Sequence, residues 1–174
     1  FPRNLTVNCS YKIIDNKLLI QYSYSSDIHT HVNLTNHSYW NLNKNKKDNI
    51  FNHDLKINSN QYLEVDKFLI PNGKIKNVAK SIYNFKKFSN IKDKINLLLN
   101  KKNSKKINKS GFDTTYSIIK NSTNYVATLR NKKSNIEIDF FSNLPGVQLY
   151  TGHGLKYEKK LKPYQGICIE TQYY

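Results

Sequence analysis

An all-β sandwich is the fold this sequence predicts. Three features carry the prediction: short segments of alternating apolar residues, turn signals between them, and a composition with 13 Tyr and 8 Phe against only 6 Gly and 4 Pro. Aromatic side chains suit a pleated, half-buried surface, and sparse Gly and Pro exclude linker-like or collagen-like character. With 174 residues, 38% of them apolar, the chain is long enough for one domain with a real core.

The alternating segments run in order along the chain. Leu18-Leu19-Ile20-Gln21-Tyr22-Ser23-Tyr24 comes first, then Asp54-Leu55-Lys56-Ile57, Tyr125-Val126-Ala127-Thr128-Leu129 and Ile136-Glu137-Ile138-Asp139-Phe140. Each has the period of a half-buried strand. Turn signals at Asp15-Asn16, Pro71-Asn72-Gly73, Ser110-Gly111 and Pro145-Gly146 fall at spacings expected of stacked sheets. One short amphipathic helix is expected over 91–99, where Ile91, Ile95, Leu98 and Leu99 recur at helical spacing. Lysine-rich stretches at 43–47 and 101–109 read as solvated loops, and no internal repeat is apparent, so residues 1–174 are read as a single domain.

The formal net charge of +16 raises the question of a polyanion partner. Its distribution argues against one. Nearly all the positive residues are Lys interspersed with Asn, and only Arg3 and Arg130 could make the bidentate contacts that base readers favour. No nucleic-acid partner is expected. No long apolar run or signal-like start occurs, so no membrane association is expected either. Cys9 and Cys168 lie far apart without metal-ligand spacing around them and read as free thiols, consistent with a cytoplasmic location. Asn-x-Ser/Thr sequons begin at Asn4, Asn8, Asn33, Asn36, Asn108 and Asn121, and none is read as glycosylated. The sequence contains no Met, even at position 1, which reads as a fragment lacking upstream residues.

Two segments stand out chemically. His37 lies in Val32-Asn33-Leu34-Thr35-Asn36-His37-Ser38-Tyr39-Trp40-Asn41-Leu42, among polar and aromatic neighbours rather than in a regular alternation. Glu170 follows the apolar run Ile167-Cys168-Ile169. Residue type alone leaves bland readings open: a structural His, and an edge-strand carboxylate facing water. An imidazole and a carboxylate can also act as acid and base near neutral pH without a cofactor.

Five motifs in order carry a resemblance to the aldose 1-epimerase (galactose mutarotase) family. They are Asn33-Leu34-Thr35-Asn36-His37-Ser38-Tyr39-Trp40-Asn41-Leu42, Ile70-Pro71-Asn72-Gly73, Gly111-Phe112-Asp113, Pro145-Gly146-Val147-Gln148-Leu149-Tyr150-Thr151-Gly152, and Gly166-Ile167-Cys168-Ile169-Glu170-Thr171-Gln172. The opening Phe1-Pro2-Arg3-Asn4-Leu5-Thr6-Val7 is similar too, so the resemblance covers essentially the whole chain. It implies a galactose mutarotase-like supersandwich, incomplete here, and the interconversion of α and β anomers of aldoses such as galactose and glucose, with no metal or other cofactor. By the same resemblance, His37 is the general acid at the ring oxygen and Glu170 the general base at the anomeric hydroxyl. Asp113, Gln148 and Tyr39 are the implied sugar contacts.

The chain departs from the family pattern in several places. The upstream His and Arg that relatives carry are absent, and relatives continue beyond Tyr174. Thr114 stands where a His is usual, His153 where an Asn is, and Asn84 and Lys86 where Asp-Phe-Arg is common. These departures leave a second expectation beside the first: a carbohydrate-binding relative with the same fold and impaired turnover.

Overall fold

The structure is a computed structural model, and it describes residues 3–100, 110–156 and 160–174. The basic loop expected at 101–109 lies outside the described residues, as does the sequon at Asn108. By internal contacts the chain divides into two compact units, 1–34 and 35–174.

The first unit is a hairpin of β1 (Leu5–Ile14) and β2 (Lys17–Ser26), paired in unbroken antiparallel register from Leu5↔Ser26 to Ile14↔Lys17. The turn falls at the Asp15-Asn16 signal, with Asp15 at φ 53, a left-handed conformation that Asp tolerates better than most residues. Strand alternation gathers Val7, Cys9, Tyr11 and Ile13 opposite Tyr24, Tyr22, Ile20 and Leu18 on one face.

The second unit holds two sheets that share one core. A four-stranded sheet has the order β6 (Ser89–Asn90), β3 (Asp54–Ile57), β8 (Tyr125–Asn131), β9 (Ile136–Phe141). A five-stranded sheet has the order β11 (Cys168–Gln172), β10 (Gly146–Tyr150), β7 (Asp113–Ser117), β4 (Gln61–Val65), β5 (Pro71–Asn77). In the first sheet the cross-strand rows Leu55–Leu129–Ile138 and Ile57–Ala127–Phe140 face inward. In the second, Tyr62–Tyr116–Val147 and Leu149–Ile169 do the same. Both sets belong to a single apolar cluster, the sandwich that period-two alternation implied. The expected helix is present as α1 (Ile91–Asn100), and it buries Ile91, Ile95 and Leu98, three of the four apolar residues that announced it.

One turn signal is corrected. Pro71-Asn72-Gly73 does not reverse the chain but opens β5. The reversal comes just before it, where the Asp66 carboxylate accepts from the backbone N–H groups of Phe68 (2.8 Å) and Ile70 (3.0 Å), and Leu69 takes a left-handed φ of 66. A side-chain turn of this kind competes with Pro-Gly punctuation, and Pro is tolerated at the first residue of an edge strand, which β5 is.

The inner faces of the five-stranded sheet are apolar, so strand alternation fixes what the opposite face carries. Asp113, Thr115 and Ser117 on β7, Gln148 and Tyr150 on β10, and Cys168, Glu170 and Gln172 on β11 share that second face. The register aligns Thr115, Gln148 and Glu170 in one cross-strand row and Asp113, Tyr150 and Cys168 in the next. A polar floor is the result.

Candidate active site

The segment that carries His37 has no regular secondary structure, and its position is set by bonds on its C-terminal side. Trp40 and Ile167 exchange backbone hydrogen bonds of 2.8 and 3.0 Å, an isolated antiparallel bridge along the outer edge of β11. Counting back from that bridge places Tyr39 beside Cys168 and His37 beside Glu170. The indole of Trp40 packs edge-on against Phe140, ring centroids 5.7 Å apart.

Further anchors follow. The Asn41 side chain donates to the backbone oxygens of Asp48 (2.8 Å) and Gln165 (3.0 Å). The backbone N–H of Leu42 donates to Nε2 of the fully buried His53 at 2.8 Å. Asn131 donates to the buried side-chain oxygen of Asn43 at 2.9 Å. The Leu42 and Asn131 bonds satisfy polar groups that would otherwise be costly to bury. Gly166 permits the close approach of the two segments, because a Cβ there would lie 2.8 Å from Cβ of Tyr39.

Five residues were expected in the site, and the structure brings them onto or beside the polar floor. Nε2 of His37 lies 3.5 Å from Oε1 of Glu170. Glu170 is nearly buried although it sits on an edge strand, so it does not face water as an ordinary edge carboxylate would. Burial raises its pKa above the usual carboxylate range; the neighbouring His37 opposes the shift and Asp113 adds to it. Gln148 donates through Nε2 to Oδ1 of Asp113 and accepts at Oε1 from the Thr115 hydroxyl. Tyr39 stacks at a tilt on His37, with ring centroids 5.0 Å apart, and burial raises its phenol pKa.

His37, Asp113, Gln148 and Glu170 line one pocket of about 400 Å³, with Thr115, Tyr150, Gln172, Val65, Leu69 and Pro71 completing its wall. That volume lies within the size range of small-ligand sites. Tyr39 stands behind His37 rather than on this wall.

Acid and base stand side by side rather than on opposite walls of the pocket. Side-by-side placement suits a hemiacetal, whose anomeric hydroxyl and ring oxygen share one carbon. Among the wall residues that the sequence reading did not name are Tyr150 and Thr115. Tyr150 lies two positions beyond Gln148, so strand alternation alone places it on the same face. Thr115 bears the same relation to Asp113. Tyr150 meets both His37 and Tyr39 with ring centroids 6.3 Å apart, and its hydroxyl accepts the backbone N–H of Gly154 at 2.9 Å.

Comparison with known proteins places this geometry in context. The family model for aldose 1-epimerase matches residues 1–174. Galactose mutarotases from Bos taurus and Homo sapiens are each 30% identical over 180 residues, covering 99% of this chain and 50% of theirs. The aldose 1-epimerase of Haemophilus influenzae is 28% identical, with 99% and 51% covered. Among solved structures, galactose 1-epimerase from Lactobacillus acidophilus NCFM superposes with a TM-score of 0.81 at 26% identity, over 98% of this chain and 49% of that one. An aldose epimerase homologue from C. elegans, at 23% identity, shares the fold with a TM-score of 0.82 over 98% of this chain and 51% of its own. The chain therefore spans about half the length of the relatives it matches.

Proposed function

Because the chain belongs to the aldose 1-epimerase family, we propose that it provides the acid–base pair and part of the sugar pocket of an enzyme that interconverts the α and β anomers of aldoses such as galactose and glucose. One observation carries the reading: His37 and Glu170 stand 3.5 Å apart on the rim of a polar pocket of about 400 Å³.

In this reading Glu170 takes the proton of the anomeric hydroxyl while His37 delivers a proton to the ring oxygen, and the ring bond between the first carbon and that oxygen breaks. The products are an open-chain aldehyde and a hydroxyl. Rotation about the first carbon–carbon bond presents the other face of the carbonyl. Reclosure runs the transfers backwards, so both groups regain their starting states and nothing is consumed. A carboxylate whose pKa is raised by burial is a better base than an exposed one.

Asp113 and Gln148 bind sugar hydroxyls in this scheme, since charged and amide acceptors suit several hydroxyls at once. Tyr39 contributes as an aromatic surface behind the imidazole. We read residues 1–174 as one partial domain of the family. No helix among the described residues is long and apolar enough to cross a membrane, and the free state of both cysteines is consistent with a cytoplasmic site of action.

Polarimetry on freshly dissolved α-D-glucose and α-D-galactose tests the proposal, using both the 174-residue chain and the full gene product. Faster anomer exchange than in buffer is expected from the full product. Sugar binding by calorimetry without acceleration would instead favour the binding relative.

A further inference from the structure

Cys168 has no part in the proton transfers above, yet it occupies a distinctive place. It is fully buried on β11, two residues before Glu170 and therefore on the same face of the strand. The Trp40–Ile167 bridge brings the His37 segment alongside both. A ring nitrogen of His37, Sγ of Cys168 and a carboxylate oxygen of Glu170 consequently all lie within 4.8 Å of one another.

Sequence spacing around Cys168 gave no hint of this, because the three donors come together only through strand register and the edge bridge. Imidazole, thiolate and carboxylate together form a donor set of intermediate softness. Such a set suits Zn²⁺ and its neighbours Co²⁺ and Cu²⁺, and it suits the oxygen-seeking Mg²⁺ and Ca²⁺ poorly.

The spacing is also suitable. Tetrahedral Zn²⁺ with bonds of about 2.0–2.3 Å separates adjacent donors by about 3.3–3.7 Å. The His37–Glu170 distance of 3.5 Å already meets that requirement. The remaining separations close by up to about 1.5 Å, and the half-exposed imidazole, on a segment without regular secondary structure, is the donor that moves. Three protein donors leave a fourth position, and two of the three, His37 and Glu170, line the pocket. Asp113 lies close enough to act electrostatically on both Cys168 and Glu170, adding local negative charge in a chain whose overall charge is +16.

We propose that His37, Cys168 and Glu170 form a binding site for a Zn²⁺-class cation, and that the bound ion blocks the sugar pocket. On binding, the Cys168 thiol gives up its proton to solvent and its sulfur pair bonds the metal; no oxidation or reduction occurs. The ion ties up both members of the proposed acid–base pair, so it acts as an exchangeable inhibitor competing with the aldose. The inhibition rests on the reading under Proposed function, whereas the metal site does not.

Two readouts separate these parts. The first is titration of the purified protein with Co²⁺, followed by visible and near-ultraviolet absorption and by displacement with Zn²⁺. A sulfur-to-cobalt charge-transfer band with tetrahedral d–d bands is expected in wild type and in the Cys9→Ser control. In Cys168→Ser the band should vanish and Co²⁺ affinity fall by ~10-fold or more. Cys168→Ala serves the same purpose if the serine variant misfolds, with circular dichroism checking both.

The second readout is mutarotation with added Zn²⁺. Wild type should be inhibited with the apparent KM rising and kcat unchanged, Mg²⁺ should have no effect, and Cys168→Ser should keep its basal rate and resist Zn²⁺. Absence of the charge-transfer band, or equal inhibition of wild type and Cys168→Ser, overturns the metal site. A band in a protein that leaves mutarotation at the buffer rate would uphold the metal site and remove the enzymatic reading instead.

Discussion

Nε2 of His37 lies 3.5 Å from Oε1 of Glu170, and the two side chains meet from unlike surroundings: the imidazole is half exposed and the carboxylate almost wholly buried. The carboxylate is fixed by strand pairing, with Gln148 opposite it on β10. The imidazole is held by the edge bridge at Trp40 and by ring contacts with Tyr39 and Tyr150. The base sits in a paired strand and the acid on a segment without regular secondary structure.

Removing either group should therefore remove most of the catalysis. A positioned acid or base is worth about 10²–10⁴ in rate. Glu170→Gln preserves shape without basicity and should reduce kcat by ~10²-fold or more in polarimetry. His37→Ala should do the same. Their combination should cost little more than the worse single change, because acid and base act in the same step. Near-wild-type turnover in either single variant would remove that residue from the scheme.

The bond network of Thr115, Gln148 and Asp113 leads to a second prediction. The Thr115 hydroxyl holds Oε1 of Gln148, which leaves the amide nitrogen facing Asp113. Thr115→Val keeps the volume and loses the donor. The loss of about 1 kcal/mol of ordering should raise KM roughly fivefold with kcat little changed, and Thr115→Ser should restore it. Identical KM values for the valine and serine variants would show that the hydroxyl does not set the amide.

The clarity of the sequence varied with the kind of interaction that builds each part. Strands β3 and β9 were legible because one face turns to the core, which writes a period of two into the residues, and β8, buried on both faces over 126–129, showed through its apolar run. Helix α1 was legible for the corresponding reason. Strands β7 and β10 were harder to see: one of their faces is core, and the other is the pocket floor, where Asp113, Thr115 and Gln148 replace a simple polar exterior. The reversal at Asp66 was hidden because a side-chain carboxylate bonded to two backbone N–H groups leaves no Pro-Gly mark. Of the site, His37, Glu170, Asp113, Gln148 and Tyr39 were named through motif resemblance, while Tyr150 and Thr115 follow from alternation only once the strands are known. The donor cluster around Cys168 depends on a single backbone bridge between residues far apart in sequence, and no local pattern encodes that.

Gly166 offers a test of that bridge. A methyl group there would meet Cβ of Tyr39 at 2.8 Å and Cδ1 at 3.2 Å, so Gly166→Ala must push the His37 segment away from β11. Overpacking of this type costs about 1–3 kcal/mol. Thermal unfolding should show a lower Tm, and kcat should fall together with it as the imidazole leaves Glu170. A variant with lowered Tm but wild-type kcat would mean that His37 is positioned by something other than the bridge.

The last prediction concerns acid stability and rests on His53. This side chain is fully buried, and its Nε2 accepts the Leu42 N–H at 2.8 Å, which places the proton of the neutral ring on Nδ1, facing Oδ1 of Asn52 at 3.1 Å. Burial, with a smaller contribution from the charge of Lys46, lowers its pKa from 6.5 to about 4 against the opposing pull of the Ile50 backbone and Asp54. Between those two values the unfolded chain binds a proton that the folded chain refuses, so folding is favoured more strongly as pH rises. The contribution is complete above pH 6.5 and declines as pH falls towards about 4. A shift of this size corresponds to about 3 kcal/mol. Urea midpoints at pH ~7.5 and ~4.5 should differ accordingly. His53→Gln keeps an acceptor for Leu42 without a titrating group, and it should flatten that part of the pH dependence. An unchanged slope in the glutamine variant would assign the acid sensitivity to other groups and leave His53 as a packing residue alone.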